Sequence, residues 1–186
     1  MATTLTVDLF VSVDGFAKGE HSPGYFGYGG PELERWIADE LARPQHLLLG
    51  RRTYAALAGL PPEAQDDGYR RMSSLPTTVF SRTLTDAEWP GATIEPGDAV
   101  GHVRGLRESG DVPLRTMGSL SVVQQLLDAG LVDRLRLMVF PLLVGPGGRE
   151  PGFAGVGETD LELVDVRRLD GRLALLEYAP TGRPIP

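Results

Sequence analysis

Apolar residues recur along this chain with two periods, and their alternation sketches a sequence of strands and helices. Residues 4–11 alternate with period two and are rich in β-branched types, which predicts a first strand. Ser12-Val13-Asp14-Gly15 breaks that strand and opens a glycine-rich loop through Ser22-Pro23-Gly24-Tyr25-Phe26-Gly27-Tyr28-Gly29-Gly30. A loop this long inside a compact domain is more often functional than idle. Pro31 suits a first helical turn, and Leu33, Trp36, Ile37 and Leu41 recur at helical spacing until Pro44. His46 to Leu49 is short and continuously apolar, as expected of a strand covered on both faces, and Gly50-Arg51-Arg52-Thr53-Tyr54 turns it into a second helix ending near Gly59.

The second half repeats the scheme. A short helix is expected between Tyr69 and Ser74, a strand at Thr77-Thr78-Val79-Phe80 ending at Ser81-Arg82, and a further short strand at Ala92 to Glu95. Asp98 has the position of a helix cap for Val100, Val103 and Leu106, although Gly101 and Gly105 weaken that helix by about 1 kcal/mol each. Pro113 to Thr116 reads as a strand that breaks at Met117-Gly118-Ser119 into a helix with Val122, Val123, Leu126 and Leu127 on one face, stopped by Gly130. Leu135 to Val144 is the longest apolar strand, with Pro141 implying a bulge or free edge. Leu161 to Leu169 and Arg172 to Tyr178 alternate and are joined at Asp170-Gly171, a tight-hairpin signal. Helical crossovers require parallel strands, so the expected fold is a single α/β domain over residues 1–186. It has a mixed, mostly parallel sheet of about eight strands, helices on both faces and an antiparallel C-terminal hairpin.

Composition narrows the function classes. With 41% hydrophobic and 23% charged residues the chain is ordinary for a globular protein. A net charge of −7 argues against non-specific nucleic-acid binding, which needs surplus positive charge, and leaves room for a local basic pocket. No run reaches membrane-span length, and the first residues lack a signal-like apolar core. The absence of cysteine excludes disulfides and thiol chemistry, and a cytoplasmic location is the expectation. His21, His46 and His102 lack the spacing of a zinc site, so no metal is expected.

Three junctions stand at the carboxyl ends of the expected parallel strands: Gly50-Arg51-Arg52-Thr53, Ser81-Arg82 and Gly118-Ser119-Leu120. Ligands of open α/β sheets bind there, and helix N-termini present unpaired N–H groups to anions. A dinucleotide fits: the helix starts for a pyrophosphate, Arg51, Arg52 and Arg82 for a 2′-phosphate. The alternative is that these arginines are solvated and the glycines only turn the chain. No Gly-x-Gly-x-x-Gly follows the first strand, and no Walker loop or Gly-x-Ser-x-Gly elbow is present. Asp14 stands at the end of the first strand on the same expected edge, although Asp-Gly is foremost a turn signal.

These motifs, together with Ser12-Val13-Asp14-Gly15-Phe16, Val79 to Leu84, Leu126 to Asp133 and Pro141 to Gly147, occur in an order that resembles the dihydrofolate reductase-like superfamily. The chain is most similar to the branch containing the reductase domain of the bifunctional riboflavin-biosynthesis deaminase/reductase, over residues 4–179. The resemblance implies an NADPH-dependent reductase that transfers hydride to a small carbonyl or imine. It places Gly50, Arg51, Arg52 and Thr53 at the cofactor phosphates, Ser81 and Arg82 at the 2′-phosphate, Gly118, Ser119 and Leu120 at the pyrophosphate, and Ala17 and Lys18 beside the nicotinamide. It assigns Asp14 to acid chemistry, with bound water as the alternative, and makes Tyr25, Phe26, Leu33 and Trp36 substrate surfaces. It also implies a cis Gly118–Ser119 peptide and a homodimer built on Pro141 to Gly148 and the C-terminal strands. Leu33 stands where folate reductases place a carboxylate, which argues against folate reduction. The competing expectation is a non-catalytic protein that keeps the fold and a ligand.

Overall fold

The apolar runs form strands β1 (Leu5–Ser12), β3 (His46–Gly50), β4 (Thr77–Phe80), β5 (Ala92–Glu95), β6 (Leu114–Thr116) and β7 (Arg134–Phe140), followed by the hairpin β9 (Leu161–Leu169) and β10 (Leu173–Pro180). Between them lie helices α1 (Pro31–Ala42), α2 (Arg51–Ala58), α3 (Asp67–Ser74), α4 (Ala99–Ser109) and α5 (Leu120–Asp128). This computed structural model describes residues 2–185. The eight strands make one sheet in the order β5-β4-β3-β6-β1-β7-β10-β9, parallel from β5 to β7 and antiparallel at β10 and β9.

The period-two pattern of β1 divides the core. Leu5, Val7, Leu9 and Val11 face α4 and α5 and pack with Val103, Val122, Val123 and Leu126. The opposite face carries α1 to α3: Leu33 and Trp36 pack on Met138, Phe140 and Leu175, and Leu41 packs with Leu47, Leu49, Tyr54 and Trp89. Fully burying each of these leucines is worth about 2 kcal/mol. The hairpin turn has a second use. Asp170 and Gly171 take φ of 48° and 69°, and the Asp170 carboxylate accepts the backbone N–H groups of Glu32 and Leu33 at 3.0 and 2.9 Å. It thereby caps α1, whose own preceding residue, Gly30, has no side chain for the task.

Three expectations are corrected. β7 ends at Phe140, because Pro141 cannot donate to the ladder, so the proline follows the strand and is not a bulge inside it. The loop after β1 contains β2 (Phe16–Gly19), which pairs with β8 (Gly148–Pro151) in a separate two-stranded sheet, and a turn of 3-10 helix at Gly24–Gly27. The Gly118–Ser119 peptide is trans, as is every peptide bond among the described residues, and the tight turn is made by positive φ at Gly118 (97°) and Ser119 (69°).

Candidate active site

A cleft of about 1340 Å³ opens at the carboxyl ends of the parallel strands. It exceeds the usual size of a single small-molecule pocket and has room for a dinucleotide beside a second molecule. Gly50, Arg51, Arg52, Thr53, Ser81, Arg82, Gly118, Ser119 and Leu120 all line it, so the three junctions meet as the sequence predicts.

Ser119 locks two of them together. Its Oγ accepts the Gly50 N–H at 2.6 Å and donates to Thr53 Oγ1 at 2.8 Å. Gly50 is required by this contact, because a Cβ there would lie 2.4 Å from Ser119 Oγ and 2.5 Å from its Cβ. A non-glycine residue at φ 69° costs roughly 1 kcal/mol, which these two bonds offset. The helices that start here are open to the cleft, since neither Gly50 before α2 nor Ser119 before α5 makes a side-chain cap bond. By contrast, Asp98 closes the start of α4 by accepting Val100 and Gly101 N–H at 3.0 Å each. Arg51, Arg52 and Arg82 have no carboxylate partner within 4.0 Å among the described residues. Two uncapped helix starts and three unpaired guanidinium groups thus converge on one cleft, which is an environment for a polyanion. Ser81 contributes differently: its Oγ accepts Thr83 and Leu84 N–H at 3.2 and 3.0 Å and shapes the loop that carries Arg82.

The other end of the cleft is apolar, lined by Phe10, Ala17, Tyr25, Ile37, Leu41, Met72 and Met117. Tyr25 and Phe26 stand at φ of 52° and 53°, two left-handed non-glycine residues in succession, held by aromatic packing. The Tyr25 ring lies 5.1 Å from Phe10 and stacks on Phe140 at 6.2 Å. Tyr25 is 44% exposed overall, yet desolvation of its hydroxyl raises its pKa, partly opposed by the positive charge of Arg115, so the hydroxyl keeps its proton at neutral pH. Phe26 packs 5.6 Å from Phe140 and does not line the cleft. Leu33 and Trp36, 1% and 6% exposed, belong to the core beneath α1, and Ile37 and Leu41, further along the helix, take the places expected for them. Lys18 sits on β2 opposite Arg149, outside the cleft lining, while its neighbour Ala17 lines it.

Asp14 is placed away from the cleft. Its carboxylate accepts the Ser12 hydroxyl at 2.7 Å and the backbone N–H groups of Val144 and Gly145 at 3.1 and 2.7 Å, tying the end of β1 to the turn after β7. These bonds, the Ser12 bond foremost, lower its pKa from 3.8 to about 2, so it carries no proton to donate at neutral pH. Its observed bonds are those of a turn, and it is not among the residues that line the cleft.

Asp8 and Arg115, which sequence reasoning passed over, line the floor of the cleft. Asp8 Oδ2 accepts Arg115 Nε at 2.6 Å, its Oδ1 accepts Arg136 Nε at 2.7 Å, and Arg136 Nη2 reaches Glu40 Oε2 at 2.8 Å. All four side chains are at least nine-tenths buried. The two guanidinium carbons lie 5.8 and 5.2 Å from the Trp36 ring centroid, within cation–π range, while Trp36 Nε1 is buried without a partner. Two carboxylates balance two guanidinium groups, which is what allows charge under the cleft. The available signal was the presence of opposite charges inside otherwise apolar strands, Asp8 in β1 against Arg115 in β6 and Arg136 in β7.

The sequence matches the family described as the RibD C-terminal domain over residues 3–175. An uncharacterized protein of Bacillus subtilis (strain 168), YyaP, is 23% identical over 184 residues, covering 96% of this chain and 95% of the other. Among solved structures, a protein of Shewanella sp. PV-4 ascribed to riboflavin biosynthesis superposes with a TM-score of 0.72 at 19% identity, over 97% of this chain and 99% of that one. A pyrimidine reductase-like protein from Corynebacterium diphtheriae gives 0.70 at 15% identity, over 97% and 93%. A diaminohydroxyphosphoribosylaminopyrimidine deaminase/5-amino-6-(5-phosphoribosylamino)uracil reductase from Thermotoga maritima gives 0.64 at 14% identity, with 97% of this chain matching 57% of that one.

Proposed function

This chain belongs to the RibD C-terminal domain family, with its dihydrofolate reductase-like fold, and from that membership we propose that it is an NADPH-dependent reductase acting on a small carbonyl or imine. The observation that carries the reading is the convergence of two uncapped helix starts and three unpaired arginines on one cleft with an apolar far end. Those residues fit the cofactor. Arg51, Arg52 and the first N–H groups of α2 and α5 would hold the pyrophosphate, and Ser81 and Arg82 the 2′-phosphate. Bound there, NADPH supplies a hydride from its nicotinamide ring.

The remaining work falls to side chains at the apolar end. Phe10, Ala17, Ile37 and Leu41 give the substrate apolar surroundings that exclude water. A hydride arriving on a carbonyl or imine carbon leaves negative charge on the oxygen or nitrogen, which takes one proton. Tyr25 lines the cleft with its hydroxyl protonated, so it is the group suited to give that atom its proton. Water returns the proton to it.

We place the enzyme in the cytoplasm as a homodimer. No helix among the described residues is long and apolar enough to cross a membrane. β9 ends the sheet with Leu163, Val164 and Val166 about half exposed, an unpaired apolar edge suited to a second copy. The reading is tested by following NADPH absorbance with a panel of small aldehydes, ketones and cyclic imines. Consumption that needs both protein and a panel member is expected. NADPH binding without consumption across the panel would instead favour a protein that keeps the ligand and lacks the reaction.

A further inference from the structure

The adenosine end of the cleft carries a carboxylate with no role in the scheme above. Glu95 closes β5, and the Ser81 N–H donates to its carbonyl oxygen at 3.0 Å, so Glu95 sits directly beside the Ser81–Arg82 loop on the same rim. The side chain is held from behind. Its Oε1 accepts the Gly97 N–H at 2.7 Å, and Oε2 lies 3.0 Å from His102 Nδ1. His102 is fixed in turn by the Phe80 ring, edge-on at 5.8 Å, and by Thr78 Oγ1 at 3.4 Å from Nε2, a hydroxyl that also meets His46 Nε2 at 2.9 Å. Glu95 therefore has one fixed pose, with only two of its roughly four acceptor positions used. The other carboxylate on this rim, Asp98, has both oxygens committed to the start of α4.

We propose that Glu95 reads the adenosine ribose. It accepts a hydrogen bond from the free 2′-hydroxyl of NADH and opposes, by like charge, the 2′-phosphate of NADPH that Arg82 attracts. A carboxylate at the ribose favours the hydroxyl form of a dinucleotide and a guanidinium favours the phosphate form. This rim has one of each on adjacent strand ends, so the site admits both dinucleotides, with a modest preference for NADPH. The proposal rests on the cleft being a dinucleotide site.

Calorimetric dissociation constants for NADPH and NADH, measured on the full chain, test it. The wild type should bind NADPH no more than about tenfold tighter than NADH. Glu95→Gln should tighten NADPH and weaken NADH, widening that ratio about tenfold, while Arg82→Gln moves it the other way. His102→Ala, which leaves the carboxylate but frees it to swing into solvent, should widen the ratio by less than Glu95→Gln does. A wild-type preference for NADPH above about a hundredfold, or a Glu95→Gln ratio equal to the wild type's, overturns the assignment of Glu95 and leaves the dinucleotide reading standing. If Glu95→Gln does not fold, the wild-type ratio decides. Failure of both dinucleotides to bind the wild type overturns the dinucleotide reading and this assignment with it.

Discussion

Single side chains here follow the bonds available to them more than the motif they sit in. Asp14 occupies the position where the family resemblance suggested an acid, yet three donors converge on it and make it the clasp between β1 and the turn after β7. Its lowered pKa gives a signed prediction. A group whose pKa falls on folding stabilises the native state above its unfolded value, 3.8, and that contribution is lost as pH drops toward about 2. Asp14→Ala should therefore be less stable than the wild type at neutral pH, with the difference closing between those two values, as acid-unfolding curves followed by circular dichroism would show. A difference that persists unchanged at the lowest pH would contradict the clasp. The cleft arginines were legible in the sequence because a residue that directly follows a parallel strand, after Gly50 for Arg51 and Arg52 and after Ser81 for Arg82, lies at the carboxyl edge of the sheet. Asp8 and Arg115 were not, because their pairing joins β1 to β6 across 107 positions of sequence and exists only once the sheet has formed.

At the level of elements, all eight strands of the main sheet and the five helices follow from hydrophobic period and glycine or proline punctuation. The exceptions are instructive. β2 and β8 are four residues each, too short for a period to register, and are strands because each pairs with the other. Pro141, expected to mark a bulge or a free edge within a longer strand, instead follows the end of β7. The α1 cap was invisible for a different reason: its carboxylate comes from Asp170, in a turn 138 positions beyond the N–H it accepts at Glu32. Asp170→Ala should cost about 1 kcal/mol, lowering the midpoint of thermal unfolding by about 2–4 °C, while Asp170→Asn, which keeps an acceptor, should cost less. Equal loss in the two variants would contradict the cap, because Asn keeps both an acceptor and a residue type at home at the left-handed φ of 48°.

For the whole molecule, the sheet order puts one working edge at the carboxyl ends of β3 to β6 and, of its two outer strands β5 and β9, an exposed apolar one at β9. The first holds the cleft. The second exposes Leu163, Val164 and Val166 at 53%, 48% and 55%, more apolar surface than an isolated edge strand usually tolerates. Light scattering should give twice the 20.1 kDa chain mass, and Val164→Lys with Val166→Lys should return the single-chain value. A wild-type monomer would refute the dimer while leaving the cleft untouched. The central claim is that the cleft is built for a phosphorylated dinucleotide, and titration calorimetry with NADPH tests it most directly. The wild type should bind in the micromolar range or tighter, with affinity falling as salt rises, and a combined Arg51→Ala, Arg52→Ala, Arg82→Ala variant should lose about a hundredfold, roughly 1 kcal/mol per guanidinium. No binding to the wild type at about millimolar NADPH, or equal binding to the triple variant, would contradict it.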